Sequence, residues 1–252
     1  ALSFRNQFIP KFAYTYTFDR GFGKTRDDQH FTLQAGFTEG GNLFAGIWSL
    51  AGNKGQKELF GTPFSQFVKA TLQMVYSKRI TGEQRIVGRV YAGAAHAYGN
   101  SQEVPYAEQF YAGGANSVRA FAVRSIGPGS YHSNVDGNGY YDQTGTFRFE
   151  MNAEYRFPIV SVLKGAVFVD AGNIWLLKDD PMRSGGTLNS NFFRELALGT
   201  GLGLRLDMGM IVVRADLGVG LHLPYDTGKS GYYNIGRFKD SLALNLAIGY
   251  PF

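Results

Sequence analysis

The 252-residue chain is 44% hydrophobic and 15% aromatic, holds 34 glycines and 15 tyrosines but no cysteine, and carries a formal charge of +5. Its mean hydropathy is slightly negative and no run of about 18 apolar residues occurs, which excludes helical membrane spans and suits strands, turns and interfacial aromatic girdles. The lack of cysteine removes disulfides, thiolate chemistry and cysteine-based zinc sites, and the scatter of basic residues along alternating segments argues against nucleic acid as a partner.

Period-two runs bounded by Gly, Asn, Asp and Pro predict nine strands. The first, near 6–19, sets Phe12, Tyr14, Tyr16 and Phe18 against Lys11, Thr15 and Thr17. The second, near 29–39, sets Phe31, Leu33, Ala35 and Phe37 against Thr32, Gln34 and Thr38. The third, near 65–79, sets Val68, Ala70, Leu72, Met74 and Tyr76 against Lys69, Thr71, Gln73 and Ser77. The fourth, near 84–98, alternates weakly, because Val87 and Tyr91 share a side with Arg85 and Arg89.

In the fifth, near 146–157, Phe147, Phe149, Met151, Ala153 and Tyr155 oppose Arg148, Glu150, Asn152, Glu154 and Arg156. Four charges on one face cannot meet lipid, where each would cost roughly 2 to 4 kcal/mol near the midplane, so that face is expected to look inward. The sixth, near 161–174, sets Leu163, Val167 and Val169 against Lys164 and Asp170. The seventh, near 194–207, sets Leu196, Leu198, Leu202, Leu204 and Leu206 against Glu195, Arg205 and Asp207. The eighth, near 210–221, sets Ile211, Val213, Leu217 and Val219 against Arg214 and Asp216. Lys69, Arg148, Lys164, Arg205 and Arg214 are thus expected to line a wet lumen. A soluble sandwich would alternate too, with its polar face outward.

The ninth strand favours the membrane reading. It carries Leu242, Leu244, Leu246, Ile248, Tyr250 and Phe252 on one side and Ser241, Ala243, Asn245, Ala247 and Gly249 on the other. Closing on an aromatic strand is how bacterial outer-membrane barrels end. Short turns at 81–83, 158–161 and 208–209 interleave with long connections at 40–63, 99–145, 175–193 and 222–240, the long ones expected to face outside. An odd strand count makes the first and last strands parallel, whereas bacterial single-chain barrels close with even numbers. The chain is therefore expected to begin inside a larger barrel. Residues 1–5 show no basic region followed by an apolar core, so no signal peptide is read there, and the chain is expected to be mature or a fragment.

The connection at 99–145 is far longer than ordinary loops, and such loops are functional or disordered. It contains Phe110, Tyr111, Ala112, Gly113 and Gly114, then Val118, Arg119, Ala120 and Phe121, then Ile126, Gly127 and Pro128. Here the chain resembles the outer-membrane assembly and translocation superfamily that includes BamA and TamA, the bacterial surface antigen family. Its long sixth loop carries a Gly-Gly turn, a VRG(F/Y) motif and a following I-G-P. Asn152 to Pro158 resembles that family's twelfth strand, and Phe168 to Gly172 its thirteenth. The resemblance implies the C-terminal part of a 16-stranded antiparallel transmembrane β-barrel, with the long loop folded into the lumen. It also implies that Arg119 meets Glu154 and Asp170. Ala120 stands where the family has Gly, so the tight backbone there is expected to be altered.

By the same resemblance, the chain is expected to assist insertion or translocation of outer-membrane proteins, without enzymatic chemistry or cofactor, through a lateral seam at Leu242 to Phe252. Its expected partners are outer-membrane lipid, client β-barrel proteins and accessory periplasmic or lipoprotein subunits. The competing class is a passive channel or two-partner secretion pore. A barrel enzyme would need a clustered nucleophile and base, and no such set stands out. His30, His96, His132 and His222 lack ligand spacing. Gly199, Gly201 and Gly203 read as small residues on an inner strand face, because no helix follows to receive a phosphate. Asp136, Asn138 and Asp142 only loosely resemble a calcium loop.

Overall fold

A computed structural model describes residues 7–23, 28–52, 55–132 and 143–252. Residues 1–5, Asn6 of the first expected strand, and Asp136, Asn138 and Asp142 lie outside the described residues.

The alternating runs form β1 (Lys11–Phe22), β2 (Gln29–Gly40), β5 (Phe67–Arg79), β6 (Arg85–Ala97), β7 (Phe147–Val160), β8 (Leu163–Trp175), β9 (Ala197–Asp207), β10 (Val212–His222) and β11 (Leu242–Ile248). The connection after β2 holds a helix, α1 (Asn42–Leu50), and a two-residue hairpin of β3 (Glu58–Leu59) and β4 (Thr62–Pro63). The nine long strands make one antiparallel sheet in the order β1-β2-β5-β6-β7-β8-β9-β10-β11. Its register is regular except at two bulges, between Pro158 and Val160 and between Gly220 and His222. The fold is all-β and antiparallel, as the alternation predicts.

The two faces separate as expected. Leu202, Leu204, Val213, Leu217, Leu244 and Leu246 are exposed on one face, whereas Glu150, Glu154, Asp170 and Asp216 are buried on the other. The described parts of the long connection, 98–132 and 143–146, lie on this second, inner face. Between them they enclose an apolar cluster that includes Phe110, Ala112, Val118, Ile126, Ile174 and Ala197. Burying each larger side chain there contributes about 1.5 to 3 kcal/mol.

Four boundaries differ from expectation. β1 opens at Lys11, because Pro10 has no N–H for a ladder, and Phe8 makes only an isolated bridge to Phe64. β7 runs through Pro158 to Val160, the proline being accommodated at a bulge. β9 opens at Ala197 and not near 194: Phe192–Glu195 form a 3-10 turn, and Leu196, expected on the outer face, is buried. Tyr250 and Phe252 are not part of β11: the strand ends at Ile248, and Gly249, at φ 86°, turns the following residues off its line.

Candidate functional site

The 98–146 loop is pinned at both ends before it reaches the sheet. Glu108, in a 3-10 turn, takes ion pairs from Lys11 and from Lys69 at 3.4 Å, and Phe110 bridges to Gly145. At the Gly113–Gly114 turn, Gly114 N–H donates to the Phe121 carbonyl at 2.8 Å and Gly113 N–H to Ser117 Oγ at 2.9 Å. Gly113 has φ 96°, and a Cβ there would lie 2.1 Å from the Ala122 carbonyl oxygen, so both conformation and space demand glycine. Further on, Ile126 is buried, and Asn173 Nδ2 donates to the Gly129 carbonyl at 3.0 Å, which seats the Ile126–Gly127–Pro128 segment, with its cis Gly127–Pro128 bond, against β8. Beside it Trp175 is fully buried, packs edge-on against Phe192 and donates from Nε1 to Glu195 at 2.6 Å.

Arg119 is fully buried and makes the contacts the resemblance implies. Its Nε and Nη2 grip Asp170 at 2.8 and 2.9 Å, its backbone N–H donates to the same carboxylate at 3.0 Å, and Nη1 meets Glu154. The guanidinium lies 3.6 Å from the centre of the Phe168 ring. This is the bidentate, stacked geometry in which arginine cannot be exchanged for lysine without loss. Burial alone would depress the Arg119 pKa, but hydrogen bonds and charge from Asp170, then Glu154, outweigh it, and the group stays cationic.

The cluster is larger than the three expected residues. Arg205 donates to Glu154 at 3.1 Å and pairs with Asp216. Arg214 donates to Asp216 at 2.9 Å and to the Ala115 carbonyl at 2.8 Å, and also meets Asn116. Arg156 donates to Glu154 at 2.7 Å. Four guanidiniums thus face the three carboxylates of Glu154, Asp170 and Asp216. A second set joins Ser117 and Arg148 to Glu150, with Arg89 at 3.0 Å from the same carboxylate. Contrary to the expectation from the alternation, Arg205 and Arg214 do not line open water; the loop covers them, and they are 0% and 1% exposed. Lys69, Arg148 and Lys164 keep side-chain exposures of 21%, 14% and 26%.

Glycines bring the loop this close. A Cβ on Gly199 would fall 2.3 Å from the Ala120 Cβ, and one on Gly218 would fall 2.7 Å from the Ala120 Cα. Gly199 and Gly218 are therefore the floor under the loop, whereas a Cβ on Gly201 would meet the Phe168 ring and one on Gly203 the Asp216 and Arg205 side chains; Gly199, Gly201 and Gly203 are all buried, in keeping with their reading as small inner-face residues. Ala120 sits in ordinary backbone. It is absent from the residues with positive φ, and its methyl occupies the space that Gly199 leaves. Val118 is fully buried and Phe121 is 9% exposed.

β11 joins the same cluster. Asn245, paired across from Asp216, donates from Nδ2 to the Arg119 carbonyl at 2.7 Å. Leu242, Leu244, Leu246 and Ile248 face out, 40% to 79% exposed. Tyr250 and Phe252, expected on that same outer face, instead turn inward. Tyr250 donates to Asp207 at 3.0 Å and lies under Arg156 at 4.2 Å, and the Phe252 ring centre is 5.8 Å from the Arg119 guanidinium. Among the described residues no group of His, Asp and Glu is arranged to hold a metal ion.

Three comparisons bear on this geometry. Among curated proteins, the "Outer membrane protein assembly factor BamA" of Neisseria meningitidis serogroup B is 28% identical over 160 residues, which is 62% of this chain and 18% of that protein. The match thus spans less than a fifth of that relative's length. Among solved structures, the crystal structure of BamA from Haemophilus ducreyi lacking POTRA domains 1-3 aligns with a TM-score of 0.47 and 16% identity, over 96% of this chain and 55% of that chain. A family model described as the Omp85 superfamily domain matches residues 12–239, from the first strand through the last long loop, and the chain belongs to the Omp85 superfamily.

Proposed function

We propose that this chain is part of a transmembrane barrel that assists insertion or translocation of β-barrel proteins in a bacterial outer membrane, working through the edge of β11 without covalent chemistry, nucleotide or cofactor. The nine strands are the C-terminal portion of a 16-stranded barrel whose apolar outer face meets lipid. The observation that carries this reading is the outer face of β11, on which Leu242, Leu244, Leu246 and Ile248 all point away from the buried charge cluster. An unpaired strand edge in hydrocarbon leaves backbone groups unsatisfied and is relieved by any strand that adds to it. A client strand supplies that pairing, and accessory periplasmic or lipoprotein subunits deliver it. Membership of the Omp85 superfamily, and the assembly-factor name of the Neisseria relative, support this reading. A passive channel fits less well with a loop that packs over the inner face and buries Arg119, Arg205 and Arg214.

Two measurements test the proposal. With a photo-crosslinking residue at Leu246, crosslinks to a client barrel caught during insertion are expected, and their absence while client accumulates in the membrane overturns the seam assignment. Arg119→Ala, Arg119→Lys and Arg119→Glu are expected to reduce client incorporation while heat-resistant barrel migration persists in at least the lysine variant. Unchanged incorporation in all three removes the loop from the mechanism.

A further inference from the structure

One residue of the loop touches both sides of this site. The Arg119 side chain reaches Asp170 on β8 and Glu154 on β7, while its carbonyl, on the opposite side of the residue, accepts from Asn245 on β11. Gly218 on β10 makes the span possible, since a Cβ there would sit 2.8 Å from that same carbonyl oxygen. Among the described residues, the bond from Asn245 is the sole side-chain hydrogen bond made by β11. The other inward positions of the strand, Ala243 and Ala247, have nothing to donate. β11 is also the shortest of the long strands, with seven residues, all paired to β10.

We propose that Asn245 is a positioning residue that couples docking of the Arg119 loop to pairing of β11 with β10, so that release of the arginine from Asp170 and Glu154 loosens the strand edge. This rests on the reading of β11 as the edge that receives clients, and it deepens that reading. When Arg119 is seated, its carbonyl is held over Gly218 and Asn245 is satisfied. When the loop lifts, Asn245 loses its acceptor, and the ring contacts of Arg119 with Phe252 and Phe168 break in the same movement. The charge cluster and the edge then behave as one cooperative unit, with Asn245 as the link.

The test is hydrogen–deuterium exchange on the intact protein in lipid nanodiscs, following a peptide across 242–248 with one across 163–175 as the internal control. Asn245→Leu, which keeps the branched heavy-atom skeleton and removes the donor, is expected to raise β11 exchange about fivefold, the Boltzmann factor of one ordinary intramolecular hydrogen bond, with the control unchanged. Arg119→Ala is expected to raise it at least as much. The double variant should exchange no faster than Arg119→Ala alone, because Asn245 has nothing left to bind once the loop is undocked. A merely local packing role predicts additive effects instead. Asn245→Ser, which retains a donor on a shorter stem, stands in if leucine prevents folding, and its exchange should fall between wild type and Arg119→Ala. Wild-type exchange in the Asn245 variants, or additivity in the double variant, overturns the proposal. Client incorporation measured alongside separates the two readings: faster β11 exchange with unchanged incorporation leaves the coupling standing and removes the seam from the proposed function.

Discussion

Gly199→Ala is the sharpest probe of loop docking. The added methyl would lie 2.3 Å from the Ala120 Cβ, where ordinary contacts need about 3.6 Å, so the loop must rise by more than 1 Å at a residue adjoining Arg119. The Arg119 bonds to Asp170 measure 2.8 to 3.0 Å, and a rise of that size carries them past hydrogen-bond range. The cost therefore lies between that of overpacking, about 1 to 3 kcal/mol, and that of breaking a buried ion pair, about 3 to 5 kcal/mol. The structure also names the cure. With Ala120→Gly the offending Cβ is gone, and the nearest remaining atoms, the Val219 carbonyl oxygen at 3.4 Å and the Ala120 Cα at 3.6 Å, are in normal contact. The Gly199→Ala/Ala120→Gly pair should thus recover most of the loss in urea midpoint, read by heat-modifiable migration across a denaturant series. A wild-type midpoint for Gly199→Ala, or a double variant no more stable than the single, refutes the close approach.

Asp170 has no cation other than Arg119 among its described partners, so Arg119→Ala should cost about 3 to 5 kcal/mol, and adding Asp170→Asn should return part of it; urea unfolding of the two variants decides. Arginine at Leu246 should cost about 2 to 4 kcal/mol in bilayer refolding equilibria if that face meets lipid near the midplane, and a neutral outcome argues against the membrane face. The Asp180 carboxyl is held below its ordinary value first by a hydrogen bond from Arg183, then by the Met182 N–H and the Arg183 charge. Its contribution to the 180–183 turn is thus present at neutral pH and lost as pH falls below about 4. Amide exchange of that turn, corrected for intrinsic rates, should accelerate there, and Asp180→Asn should flatten the profile.

The strands are legible in the sequence because lipid and a charged interior impose opposite demands on alternate residues, a pattern that survives without knowledge of register. Boundaries are less so: Gly249 and Pro158 act through a backbone turn and a bulge, which alternation does not report. Arg119, Glu154 and Asp170 are legible only through the loop's resemblance to a family. Asp216, Arg205, Arg214 and Asn245 read as inward or small-side residues, but nothing local places them under Arg119. That requires the pairing of Arg214 with Arg205 and of Asp216 with Asn245, together with a contact across more than a hundred residues of chain. At Arg205 and Arg214 the expectation of a wet interior fails for the same reason, since alternation says which way a side chain points and not whether a distant loop lies on top of it.

The chain's two indoles stand in unlike surroundings. Trp175 is fully buried beneath the loop's exit, while Trp48 is half-buried in α1. With Trp48→Phe, the remaining emission becomes a label-free optical gauge of whether the loop is seated on the sheet: blue while Trp175 stays dry, shifting red as water enters.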